Sequence, residues 1–359
     1  MSKYEGFVEK GGASVLIDGQ WGSTGKGLAA AAIAVDNAGK IRVATTNASS
    51  NAGHTTVKEN KKFVCFHLPT SGVMDAKAII YLNAGSIIDP KVLMDEMKTL
   101  GVDKERVVVH PRAAVITQEC KEEEADINSS ATKLASTQKG VGAALSRKVK
   151  RMPGATVGEN ERMRDEFGGR IRTMNLNTMM AAGASVMVEI PQGFGLGLNS
   201  GTAYPYCTSR EVSVQQGLSD AGIHPKFLLN TLMVLRTYPI RVGNIMNDKE
   251  MVGFSGPHYP DQKEIRWEEI GVSPEMTTVT GRVRRVFTFS LRQYLDAYYH
   301  NYPTHVFLNF VNYLKSREEF LSLLGLIQSI RVLPISYGLG PQVKDIEHDT
   351  AAVVRKMGW

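Results

Sequence analysis

Asp18-Gly19-Gln20-Trp21-Gly22-Ser23-Thr24-Gly25-Lys26-Gly27 is the stretch on which the fold turns. It lies between a short apolar run, Ala13 to Ile17, and an alanine-rich stretch, Leu28 to Val35. Strand, glycine-rich turn and packed helix in that order open an α/β nucleotide-binding sheet. Glycines let the backbone turn sharply and bring N–H groups close to an anion. The helix N-terminus adds a favourable dipole and Lys26 a positive charge, so the segment predicts a phosphate-binding loop. It departs from the standard Gly-x-x-x-x-Gly-Lys-Ser/Thr spacing. Five residues, Gln20 through Thr24, separate Gly19 from Gly25, and Gly27 stands where a magnesium-binding hydroxyl is usual.

On either side of the loop the hydrophobic pattern continues the same architecture. Ile41 to Thr45, Ile79 to Leu82, Val107 to Val109 and Val186 to Ile190 read as buried strands. Val57 and Phe63 to Phe66 flank the polar turn Lys58 to Lys62 as a hairpin. Asp89-Pro90 predicts a helix start, with Asp as cap and Pro at the first helical position, running to Leu100 and stopping at Gly101. Residues 117 to 182 read as a mainly helical insertion. Leu228 to Leu235, Phe287 to Tyr298 and Glu318 to Gln328 read as helices, and His305 to Leu308 and Val332 to Ile335 as late strands. No repeat, low-complexity tract or Pro/Ser-rich linker interrupts the chain. The expectation is one α/β domain over residues 1–359: a mostly parallel central sheet flanked by helices, P-loop-like, with helical insertions.

The chain has 359 residues, 22% charged and 43% hydrophobic, the profile of a globular protein with a sizeable core. A net charge of +6 fits anionic substrates such as small phosphorylated metabolites. No Lys/Arg tract with interleaved aromatics appears, which argues against a nucleic-acid partner. Cys65, Cys120 and Cys207 form neither a C-x-x-C pair nor a zinc spacing and read as reduced thiols. The N-terminus lacks the apolar core of a signal peptide, and no run is long enough for a membrane span. The expected location is the cytoplasm, with no membrane partner.

Further motifs follow in chain order. They are Asn51-Ala52-Gly53-His54-Thr55, His67-Leu68-Pro69-Thr70-Ser71-Gly72, Gln192-Gly193, Tyr204-Pro205-Tyr206-Cys207-Thr208-Ser209, Arg241-Val242-Gly243, Thr280-Gly281-Arg282-Val283-Arg284-Arg285 and Gly340-Pro341. With the glycine loop they resemble the ordered signatures of the adenylosuccinate synthetases, across residues 19 to 341. The resemblance implies a magnesium-dependent ligase and a homodimer. A nucleoside triphosphate phosphorylates the purine 6-oxygen, and the amino group of L-aspartate then displaces that phosphate. His54 matches the catalytic histidine, and Lys26 with the loop residues Gly22, Thr24, Gly25 and Gly27 suits the triphosphate. Gly53 is expected to offer its carbonyl to Mg2+. Asn51 and Gln192 match positions that hold the purine monophosphate, and Thr137 and Thr208 match positions at its 5′-phosphate. Arg151 matches an arginine lent by a neighbouring subunit, or sits on a solvated basic helix face; both readings stay open. Thr277 to Arg285 is the expected aspartate loop, in which Arg282 and Arg284 can each grip a carboxylate bidentately and Thr280 adds a hydroxyl. Gly340 and Pro341 are expected beside the triphosphate.

Two positions depart from the family pattern. Ordinary members carry aspartate where this chain has Ser23, and that carboxylate takes the N1 proton of hypoxanthine and binds magnesium. A serine hydroxyl is far too weak a base near neutral pH. The neutral side chain leaves room for, and can hydrogen-bond, a 2-amino group, which points to a guanine nucleotide. The pattern resembles the phage branch of the family, which joins aspartate to deoxyguanosine monophosphate (dGMP) on the route to 2-aminoadenine DNA. Ser23 is therefore expected at the purine and is a candidate magnesium ligand. Asn312 stands where ordinary members carry the aspartate that reads the guanine of GTP, and Phe310 where they carry lysine. An amide cannot accept both guanine N–H bonds but suits the donor and acceptor of adenine, so ATP or dATP is the expected phosphoryl donor. The alternatives are a conventional synthetase using inosine monophosphate and GTP, and a regulatory nucleotide-binding protein that has lost catalysis. Retention of Lys26, His54, Arg282 and Arg284 argues against the last.

Overall fold

A computed structural model describes residues 4–126, 129–247, 250–277 and 281–359. Nine strands form the main sheet: β1 (Ala13–Asp18), β2 (Val43–Thr46), β3 (Ile79–Leu82), β4 (Val107–Val109), β5 (Val186–Glu189), β6 (Leu228–Arg236), β7 (His305–Asn309), β8 (Ile335–Gly338) and β9 (Ile346–Glu347). Their spatial order is β9-β8-β7-β6-β1-β5-β2-β3-β4. Every pairing is parallel except that of β8 with β9. This is the mostly parallel α/β sheet that the loop motif implies. β1 sits centrally, with Val15 opposite Val188 of β5 and Thr231 of β6. All six of its residues are buried, as befits a strand covered on both faces.

Local signals account for several elements. Helix α1 (Lys26–Asp36) follows the glycine loop, and its alanines are buried. A Cβ on Gly27 would lie 2.9 Å from the Thr55 carbonyl oxygen, so this glycine lets α1 approach the hairpin of strands His54–Lys58 and Lys61–Cys65. Glu59 and Asn60 turn that hairpin with φ of 49° and 63°, the left-handed pair that a two-residue turn demands. Helix α2 (Pro90–Leu100) starts where Asp89 accepts hydrogen bonds from the amides of Lys91 (3.1 Å) and Val92 (3.3 Å), and it stops at left-handed Gly101. Between residues 117 and 182 lie α3 (Gln118–Ala125), α4 (Val141–Val149) and the shorter helices Ser130–Lys133, Glu161–Phe167 and Leu176–Ala181.

Three expectations need correction. Leu228 to Leu235 is not a helix but most of β6, paired with β1 on one side and β7 on the other. From Thr231 onward every residue of β6 is buried, and an apolar run without a polar face does not reveal its period. Phe287 closes a short strand (Arg285–Phe287). The following helix, Leu291–Asn301, begins only after Ser290, whose hydroxyl accepts from the Gln293 amide at 2.9 Å. Val332 is exposed and outside any strand; β8 starts after Pro334. Among the described residues no helix is long and apolar enough to cross a membrane.

The carboxyl ends of neighbouring strands meet above the sheet, where open α/β folds bind ligands. The Arg236 amide at the end of β6 donates to the Gln20 side-chain oxygen (3.0 Å), and Gln20 Nε2 returns a bond to the Arg236 carbonyl (3.1 Å). Asn309 at the end of β7 donates to the Thr24 carbonyl at 2.8 Å.

Candidate active site

The glycine loop is built around an internal anion. Asp18, buried at the end of β1, accepts on Oδ1 from the amides of Gln20 (2.8 Å) and Gly22 (3.2 Å). Its Oδ2 accepts from the Thr24 amide (3.3 Å), the Thr24 hydroxyl (2.5 Å) and Lys26 Nζ (3.2 Å). Thr24, expected at the triphosphate, is a buried strut of the loop and does not line the cavity. Lys26 Nζ also reaches the Gln192 carbonyl at 2.5 Å, tying the loop to the segment after β5. Gly25 has φ of 88°, and a Cβ there would meet Asn309 Nδ2 at 2.6 Å, so no other residue fits this turn. Ser23 also adopts a left-handed φ, 57°, yet is exposed. Arg236 Nη1 donates to its carbonyl at 3.0 Å, and among the described residues no group hydrogen-bonds its hydroxyl.

One cavity of about 1060 Å³ opens over this loop. Its wall brings together Gly22, Ser23, Gly25, Lys26 and Gly27 with Asn51, Gly53, His54, Thr137, Gln192, Thr208 and Arg284. Residues 262 positions apart in sequence, from Gly22 to Arg284, thus share one space. Gln192 Nε2 donates to Asn51 Oδ1 at 3.0 Å, joining the two expected purine contacts directly. His54 is half-buried at the start of the hairpin. Burial, and then the nearby Lys26 charge, lower its pKa to about 3, so the imidazole is neutral in the free protein.

The cavity wall also carries charge that sequence reasoning assigns no role. Arg241, 2% exposed, lies in the cavity wall and donates to the carbonyls of Pro257 (2.8 Å) and Tyr206 (3.1 Å). Its guanidinium lies 4.9 Å from the Trp21 ring. Burial, and then Arg285, lower its pKa to about 9, so it stays cationic near neutrality. Glu275 also faces the cavity and takes two bonds from fully buried Arg236, at 2.6 and 3.2 Å. Burial pushes the Glu275 carboxyl up, but the charge and hydrogen bonds of Arg236 and then the charge of Arg284 win, and its pKa ends lowered. The Arg284 pKa falls to about 10 through burial, opposed by Glu275. Glu124, on the rim, accepts from the amides of Gly140 (2.7 Å), Gly142 (2.7 Å) and Ala143 (3.3 Å) and so caps α4.

The motif order, the parallel sheet and this cavity have a counterpart in a known family model. Adenylosuccinate synthetase, as that model is described, matches residues 15–175 and 160–321. The chain belongs to the adenylosuccinate synthetase family. It is 38% identical over 364 residues to the N6-succino-2-amino-2'-deoxyadenylate synthase of Salmonella phage PMBT28, covering 94% of this chain and 97% of that one. It is 31% identical over 285 residues to the adenylosuccinate synthetase of Pyrococcus horikoshii, covering 78% of each. Among solved structures it is similar to the succinoaminodeoxyadenylate synthetase of cyanophage S-2L, described as bound to dGMP and dATP as an energy donor. There the TM-score is 0.86 at 35% identity, covering 96% of this chain and 98% of that one. The fully ligated adenylosuccinate synthetase of Plasmodium falciparum shares the fold, with a TM-score of 0.77 at 20% identity, covering 94% of this chain and 99% of that one.

Of the other expected residues that the structure describes, all but Phe310 lie outside the cavity wall. Arg282 is turned aside, donating to the carbonyls of Ala135 (2.8 Å) and Ser136 (3.1 Å). Thr280 falls outside the described residues. Arg151, just past α4, is exposed and does not line the cavity of its own chain. Asn312 and Pro341 are exposed and Gly340 half-buried, all outside the cavity wall. They lie on the loops that follow β7 and β8, strands on the same side of β1 as β6. Phe310 does line the cavity, and its ring lies 4.0 Å from the Arg236 guanidinium.

Proposed function

We propose that this chain is a carbon–nitrogen ligase that joins L-aspartate to C6 of dGMP, driven by ATP or dATP, and releases N6-succino-2-amino-2'-deoxyadenylate. The observation that carries the reading is Ser23: a neutral, exposed hydroxyl in the cavity wall, where a proton-accepting carboxylate would serve hypoxanthine. Similarity to phage synthases of that product, and to a solved relative described with dGMP and dATP, supports it.

In this reading the purine 6-oxygen takes the γ-phosphoryl group, and the aspartate amine then attacks C6 and expels phosphate. Asn51 and Gln192 hold the purine, Thr137 and Thr208 take its 5′-phosphate, and Arg151 serves a second copy in a homodimer. Lys26 and the amides of Gly25 and Gly27 at the start of α1 meet the triphosphate, where positioning and charge stabilisation dominate. His54, neutral in the free site, donates a hydrogen bond to the oxygen carrying the new charge; the arriving phosphates raise its proton affinity. Arg284 takes an aspartate carboxylate, and cationic Arg241 stands beside the same space. Asn312 reads an adenine base outside the cavity wall, with Gly340 and Pro341 next to it.

The oxygen donors fit magnesium. Among the described residues no group of three or more acidic, His or Cys side chains could hold a metal, and Asp18 is consumed by the loop. The Gly53 carbonyl and the Ser23 hydroxyl, both on residues of the cavity wall, would hold the ion, which typically keeps several waters and leans on substrate phosphates. When bound, it neutralises charge on the transferring phosphoryl group.

The test is direct. The protein is incubated with Mg2+, aspartate, one of ATP, dATP or GTP, and one of the inosine, guanosine or deoxyguanosine monophosphates. Mass spectrometry then reads the succino-adduct. Adduct from dGMP with ATP or dATP is expected; turnover of inosine monophosphate with none of dGMP refutes the assignment.

A further inference from the structure

The two amides that face the purine are ambiguous as chemistry. Each carries a donor end and an acceptor end, and a turned amide reads the opposite pattern. Behind them lies a buried group that removes the ambiguity. Arg210, 9% exposed, donates from Nη1 to the carbonyls of Asn47 and Gly85 (2.9 Å to Gly85), and from Nη2 to the Ser49 hydroxyl at 3.0 Å. A guanidinium has no acceptor, so Ser49 Oγ must accept there. The Ser49 proton is then left for Asn51, whose near atom lies 2.6 Å away, and that atom must be the oxygen. Gln192 approaches the same oxygen at 3.0 Å and must present its NH2 group. With either amide turned, the 1%-exposed Ser49 would keep a hydroxyl proton without an acceptor, or two like ends would face each other. What remains for a ligand on these two cavity-wall residues is the NH2 group of Asn51 and the Oε1 of Gln192, which no other group takes among the described residues.

We infer that Ser49 and Arg210 are positioning residues that set the polarity of the purine pocket, one donor and one acceptor, so that it takes a 6-oxopurine and rejects a 6-aminopurine. A 6-oxopurine offers an acceptor at O6 and a donor at N1–H; a 6-aminopurine offers the reverse. The relay therefore discriminates dGMP from adenine-type monophosphates, including molecules that resemble the product of the pathway. This rests on the reading that Asn51 and Gln192 hold the purine.

The experiment is calorimetric titration of the full chain with dGMP and, separately, with deoxyadenosine monophosphate (dAMP), without triphosphate. Ser49→Ala frees both amides to turn and is expected to narrow the dAMP-to-dGMP ratio of dissociation constants by about tenfold. Ser49→Thr keeps the hydroxyl and is expected to restore the wild-type ratio. A merely structural role weakens both ligands alike; an unchanged ratio in Ser49→Ala overturns the inference. Asn51→Ala and Gln192→Ala separate the two failures. If they leave dGMP binding intact, the purine lies elsewhere and the underlying reading fails. If they abolish it while Ser49→Ala leaves the ratio alone, only the relay fails.

Discussion

Glu275→Gln probes how the loop that carries Ser23 is held. The substitution keeps shape and removes one charge, leaving Arg236, whose side chain is 0% exposed, without its counter-ion. Breaking a buried ion pair by removing one partner costs about 3–5 kcal/mol. The glutamine oxygen still accepts one bond, and the Glu275 side chain is 24% exposed, so water softens the loss toward about 3 kcal/mol. Tyr313, whose hydroxyl donates to the same carboxylate at 3.2 Å, retains an acceptor. Urea unfolding followed by circular dichroism reads the loss. Arg236→Met combined with Glu275→Gln removes both charges. The double variant is expected to be more stable than the sum of the single effects predicts, by about 2 kcal/mol. The pH dependence has a fixed sign. The Glu275 pKa is lowered from its ordinary value of 4.5, so its contribution is present above that pH and fades as pH falls through the lowered value. The gap between wild type and Glu275→Gln should shrink on acidification below 4.5. A single variant within about 0.5 kcal/mol of wild type, or strict additivity in the cycle, would refute the reasoning.

Ser23→Asp is tolerated at φ of 57°, where Asp is among the residues that adopt the left-handed region, and should shift acceptor preference from dGMP toward inosine monophosphate by at least about tenfold in kcat/KM. His54→Asn should lower kcat by about 100-fold with little change in dGMP affinity, which separates phosphoryl-transfer assistance from binding in a kcat and KM comparison. Arg284→Lys loses the bidentate fork and should raise KM for aspartate about tenfold, leaving dGMP binding unchanged in titration. His305 is buried against the Ser336 hydroxyl (2.9 Å), and its pKa is lowered from 6.5 to about 3 by burial and then by His348. The unfolded chain therefore binds the extra proton first. Stability should fall as pH drops from 6.5 toward 3, by about 1.4 kcal/mol per unit from this residue, and His305→Leu should flatten that slope in melting curves.

Much of the site is legible in one dimension because its parts are local. The loop, the histidine segment and the Gln192 and Thr208 motifs each carry their chemistry within a few residues, and the cavity collects them. The inward turn of Thr24 is not legible, because a hydroxyl in such a loop reads as ligand-facing. Only the fold shows Asp18 drawing it inward. Arg282 is likewise one of three arginines in a row of motif residues, and only the backbone path turns it to Ala135 while Arg284 faces the cavity.

Sequence alone determined the strand–loop–helix opening, the caps at Asp89 and Gly101, the family and the identity of the neutral residue at position 23, because these depend on residue type and near-neighbour spacing. Tertiary structure decided that Leu228–Arg236 is a strand, that Arg236 pairs with Glu275, and that Arg210 reaches the Ser49 hydroxyl from 161 residues away. Each of these is settled by pairing across the sheet or by the desolvation of a buried charge. Neither leaves a mark on the local pattern of the chain.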